Sequence, residues 1–148
     1  MKQIFKYIAM SFVAAMALNA CQERYVQYDG AEYVMFADTL AVYPVMEGAD
    51  QFSIPVVSTV TRDYDRTFGV EVLDKLSNAI ERKHYSLESN TITIKAGETR
   101  ADVKVRGHFE NIGEADSLGF ALQLVMKDEL VMPLYGKQTK AVIMKTGK

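Results

Sequence analysis

Ala101-Asp102-Val103-Lys104-Val105-Arg106 decides the fold class of this chain. Apolar and polar positions alternate one for one after Ala101, which is the two-residue period of a half-buried strand and not the 3.6-residue period of a helix. The same period recurs on both sides. Phe68, Val70 and Val72 alternate with Thr67, Gly69 and Glu71; Ile92 and Ile94 stand between threonines; Phe52, Ile54 and Val56 form a shorter set; Leu118, Phe120, Leu122 and Leu124 share one face. Further strands are expected at 32–36, 40–45 and 139–145, between turn-rich pieces such as Glu47-Gly48-Ala49-Asp50 and Ala96-Gly97-Glu98. Seven to eight short strands at this spacing predict an all-β sandwich.

Departures from the pattern carry their own expectations. Pro55 removes a ladder donor and predicts an edge strand or a bulge for its segment, and the charged stretch 102–106 reads as a second, blunted edge. In 73–83, Leu73, Leu76, Ala79 and Ile80 fall at helical intervals, but the stretch is short, charged and uncapped, so it reads as a loop with one helical turn. Two more connections are expected at 111–117 and 127–136. Long loops on a rigid sandwich are where recognition residues concentrate.

The first twenty residues follow a different logic. Lys2 and Lys6 precede an apolar run over 7–18, and Leu18-Asn19-Ala20-Cys21 places a branched residue three before, and a small residue just before, the single cysteine. This reads as a lipoprotein signal, which predicts that residues 1–20 are removed, that the mature protein begins at a lipidated Cys21, that residues 21–31 form a tether, and that residues 32–148 form the sandwich domain. A membrane-spanning helix needs about twenty apolar residues, and Ser11 and Asn19 interrupt this run. A buried structural cysteine is disfavoured by Gln22-Glu23-Arg24 directly after it. Gln22, where an aspartate would favour the inner membrane, predicts the outer membrane, with the domain on its periplasmic or extracellular face.

Removing 20 residues from 148 leaves 128, the size of one domain. Removing Lys2 and Lys6 from 17 Lys and Arg leaves 15 against 19 Asp and Glu, a net charge of −4. No basic field remains for a nucleic-acid partner. With Cys21 acylated, no disulfide can form, so the core must suffice.

Chemistry-bearing motifs are missing. The chain has no Gly-x-Ser-x-Gly, no His-Glu-x-x-His and no phosphate-cradling glycine loop, and its two histidines, His84 and His108, do not make a metal site by spacing. His84 and Tyr85 read as the start of a strand. The expectation is therefore a non-catalytic binding or spacer module. For a glycan partner, aromatic rings would stack on sugar faces; Tyr28, Tyr43, Tyr64, Tyr85, Tyr135 and Phe109 are available and Trp is not. Tyr64 and Tyr135, each flanked by turn residues, are the ligand-binding candidates. The alternative is a structural or assembly role, with an outer-membrane protein partner bound along an exposed sheet edge.

The order of motifs resembles a known family. Asp65-Arg66-Thr67-Phe68-Gly69-Val70-Glu71-Val72, then Asn78-Ala79 and His84-Tyr85, then Thr91-Ile92-Thr93-Ile94-Lys95-Ala96-Gly97-Glu98, then Ser117-Leu118-Gly119-Phe120, is similar to an Ig-like, Calx-beta-type sandwich. More narrowly, it resembles the amino-terminal module of uncharacterised lipoproteins of Gram-negative gut commensals, which often lie in loci with outer-membrane glycan-uptake systems. In those proteins a second β domain commonly follows the strand containing Lys140-Ala141-Val142. No cofactor is expected from the residues. The resemblance nevertheless raises calcium, since regulatory members bind it through acidic loops at one end of the sandwich. The matching places here are Glu47, Asp74 and the loop 110–116, but the family's paired aspartates are replaced by Gly107 and His108. Asp63 with Asp65, and Glu114 with Asp116, read as turn capping and a solvated loop.

Overall fold

The computed structural model describes residues 30–114, 117–126 and 136–147. The signal segment, Cys21, most of the tether and Tyr135 lie outside the described residues. Nine strands form: β1 (Val34–Phe36), β2 (Leu40–Val45), β3 (Gln51–Ser58), β4 (Arg66–Val72), β5 (Tyr85–Leu87), β6 (Thr91–Ile94), β7 (Arg100–Gly107), β8 (Ser117–Val125) and β9 (Gln138–Lys145). Short 3₁₀ turns at Asp74–Leu76 and Phe109–Asn111 interrupt the connections. The first is the single helical turn expected within 73–83.

The strands make an all-β sandwich of two sheets, ordered β1-β3-β7-β5 and β2-β9-β8-β4-β6. Every pairing is antiparallel except β2 with β9, which run parallel with Leu40 opposite Lys140 and Val45 opposite Lys145. The alternation read from the sequence is the alternation of burial on β4, β6 and β7, and on β8 the expected inward residues are joined inside by Gly119 and Ala121. Val103 and Val105 are inside on β7, Phe68 and Val70 on β4, Ile92 and Ile94 on β6, and Phe120, Leu122 and Leu124 on β8. Burying such side chains supplies about 1.5–3 kcal/mol each of transfer free energy.

Two edge expectations are corrected. β3, which carries Pro55, is an interior strand between β1 and β7, and β7, with its charged outward residues, lies between β3 and β5. Pro55 is tolerated inside because β1 is short. The N–H of Ala37, just past the end of β1, donates to the Pro55 carbonyl at 2.9 Å, so the missing donor also faces the place where β1 stops. The sheet loses one bond at its frayed corner rather than in its middle. The proline that does sit on an edge is Pro44 in β2. The ninth strand, β5, has three residues, too short to show a period.

Candidate binding surfaces

Three surfaces emerge where side chains leave the core: the pole at which the chain enters, the opposite pole, and the edge formed by β2.

At the entry pole, Thr59 ties the lead-in to β1: its hydroxyl donates to the Ala31 carbonyl at 3.1 Å and accepts from Tyr33 N–H at 2.9 Å. Glu32 beside them bridges two arginines, with one oxygen 2.6 Å from Arg62 Nη2 and the other 2.8 Å from Arg66 Nη1. Arg66 is buried, and its guanidinium also donates to Ser58 Oγ, the Val60 carbonyl and the Glu98 carbonyl. Burial alone would raise the Glu32 pKa, but the two guanidiniums outweigh it and hold the carboxyl below its usual value. Nearby, Lys95 Nζ and the Ala96 N–H bond to the two oxygens of Asp65, each at 2.9 Å, and lower its pKa. These bonds shape the loop between β3 and β4. On that loop Tyr64 is 57% exposed, and it is the one exposed aromatic residue among the described residues.

The other aromatic candidates are engaged. Tyr43 stacks on Phe52 across the sandwich at 4.5 Å, and Tyr85 is fully buried against Phe120. Phe109 carries the Lys145 ammonium over its ring, 4.3 Å from the centroid. Tyr135, the second ligand-binding candidate, and Tyr28 lie outside the described residues.

The opposite pole gathers part of the acidic set implied by the family resemblance. Glu47 and Glu114 line one cavity of about 400 Å³ together with Phe109, Lys145 and Gly147, while Asp74 sits in a separate exposed turn and Asp116 lies outside the described residues. Calcium takes six to eight oxygens. The described residues do not fit it: the cavity carries two carboxylates and an ammonium, and among the described residues no three of His, Cys, Asp and Glu converge as a metal site. Gly107 shows why an aspartate is absent there. A Cβ on Gly107 would lie 2.5 Å from Val45 Cγ2, so the backbone passes too close to the core for any side chain. His108 instead ties the neighbouring loop, with Nε2 2.9 Å from Ser86 Oγ and Nδ1 3.1 Å from the Lys83 carbonyl. A carbonyl only accepts, so Nδ1 carries the proton. His84 is buried and accepts the Ile80 N–H on its own Nδ1 at 2.9 Å.

The β2 edge is the surface that sequence reasoning missed. Lys140 N–H donates to the Thr39 carbonyl and Thr146 N–H to the Val45 carbonyl, which sets the odd-numbered residues of β2 facing β9. The N–H and C=O of Leu40 and Val42, and the C=O of Pro44, therefore point away from the sheet. On the outer face of the same strand Leu40 is 61% and Val42 58% exposed, Pro44 is exposed, and Met144 opposite Pro44 is 41% exposed. The apolar alternation was visible in 40–45, but a parallel partner a hundred residues on could not be read from it.

No family model and no curated protein matches the chain. Solved structures do. A Calx CBD1 domain in its apo form superposes with a TM-score of 0.60 at 15% identity, over 80% of this chain and 100% of that one. A two-domain protein of unknown function from Bacteroides fragilis gives 0.54 at 14%, over 78% and 46%. A Bacteroides ovatus protein assigned provisionally to carbohydrate binding gives 0.53 at 14%, over 78% and 38%. The chain thus spans less than half the length of these two Bacteroides proteins. At such identities the likeness establishes the fold alone, a β-sandwich like that of the Calx CBD1 domain.

Proposed function

We propose that the protein is a lipoprotein of the outer membrane, anchored through Cys21, whose sandwich is a non-catalytic module that receives an extended segment of a protein partner along β2. The observation that carries this reading is the strip of Leu40, Val42 and Pro44 on an edge whose backbone groups are open. An incoming strand would gain ladder bonds at Leu40 and Val42, and alternate apolar side chains would cover the strip. Pro44 removes one donor at the far end, which limits the ladder to a short segment and disfavours indiscriminate sheet extension.

The chain path supports the placement. Eight residues lie between Cys21 and Gly30, nine steps of chain with an extended reach of at most about 30 Å. The entry pole then faces the bilayer, and β2 lies along the side of the domain, where a protein standing in the same membrane can reach it. A photo-crosslinking residue at Leu40 in the full-length protein tests the reading. The expected product is one defined adduct whose mapped site is an extended segment of an outer-membrane protein, and which disappears when Val42→Lys is added. Adducts that persist with Val42→Lys, or appear equally from Thr91 on the other edge strand β6, overturn it.

A second reading, a glycan partner, rests on Tyr64, whose exposed ring in the β3–β4 loop offers a stacking face. The fold shared with the Bacteroides ovatus protein agrees with it.

A further inference from the structure

The cavity at the pole opposite the entry pole belongs to neither reading. Its volume of about 400 Å³ falls within the range of small-molecule sites. Its walls bring together Glu47 from the turn after β2, Phe109 and Glu114 from the connection after β7, and Lys145 and Gly147 from the end of β9. Three separate parts of the chain thus converge on one opening.

The charges in that opening are unpaired with one another. Among the described residues Lys145 has no carboxylate within 4.0 Å, although two glutamates line the same cavity. Its ammonium rests over the Phe109 ring instead. A cation held on a ring face keeps its N–H donors free for an acceptor in the cavity. The ring face under that ammonium is occupied, so a neutral sugar cannot stack on it.

From this arrangement we infer a binding site for a small zwitterion, an α-amino acid or the equivalent, with its carboxylate on Lys145 and its ammonium towards Glu47 and Glu114. Charge-assisted bonds of both signs would close a set of groups that the described residues leave without an ion pair. Among the described residues two carboxylates stand against one ammonium, an excess of one negative charge, so a zwitterion bearing a second cation is favoured over one bearing a second anion.

Isothermal titration of the full-length protein in detergent micelles with L-lysine, L-alanine, L-glutamate and glucose tests the site. Saturable binding is expected for the amino acids, tightest for lysine and weakest for glutamate, with none for glucose. Lys145→Ala should weaken alanine by about tenfold or more, and Glu114→Gln, on an exposed loop, should weaken lysine more than glutamate. The site is overturned by no saturable binding of any amino acid to folded protein, by affinities indifferent to both substitutions, or by binding of glucose alone.

Discussion

The ring of Tyr85 stacks on that of Phe120 with centroids 3.9 Å apart and planes 10° from parallel, joining the two sheets through the largest fully buried side chains among the described residues. The Tyr85 hydroxyl has no hydrogen-bond partner there, and burial drives its pKa upward. Phe120→Ala should therefore cost about 3–5 kcal/mol in urea unfolding. Tyr85→Phe should leave stability unchanged or raise it by about 1 kcal/mol, since it removes an unsatisfied donor and keeps the ring. A large loss on Tyr85→Phe would mean that the hydroxyl has a partner.

Glu32 links the lead-in of the chain to the buried Arg66. Its folded pKa lies below the unfolded value of about 4.3, so its contribution to stability is present above that pH and is lost as pH falls through the folded value. The unfolding midpoint should fall on acidification from about pH 5, and less steeply in Glu32→Gln. Equal acid sensitivity of the two proteins would remove Glu32 from this role.

Gly107 is held by space rather than by backbone angle. Gly107→Ala would press a methyl group against Val45, with an expected loss of about 1–3 kcal/mol by thermal or chemical unfolding. Gly107→Asp should be worse, because it would bring a carboxylate up against the apolar Val45 side chain.

Cys21→Ala should move the protein from the membrane fraction to the soluble fraction on ultracentrifugation. Continued pelleting in the absence of aggregation would sink the anchor.

Tyr64→Ala should change stability by no more than about 0.5 kcal/mol, because the ring is largely exposed. If a glycan array detects a ligand, the same substitution should abolish it; a ligand retained by Tyr64→Ala places any sugar elsewhere.

Phe109 and Tyr64 show how far the candidate sites could be read in advance. Both are aromatic residues beside turn residues, and nothing local distinguishes them. Tyr64 stays exposed because Glu32, Asp65 and Lys95 brace its loop from outside. Phe109 is covered because β9 ends beside it and delivers Lys145. The difference arises from contacts between segments far apart in sequence.

Strand identity and phase were determined by the sequence by itself, because a period of two forces every second residue to one face. The alternation in 67–72, 101–106 and 118–124 thus specified which side chains enter the core before any partner was known. Strand order was decided by the tertiary structure alone. Pro55 inside the sheet, Pro44 on its edge, the parallel pairing of β2 with β9, and the cavity between Glu47, Glu114 and Lys145 all depend on which strands lie side by side. That choice is made by the joint packing of two sheet faces, an energy shared over the whole core that no single stretch of chain encodes.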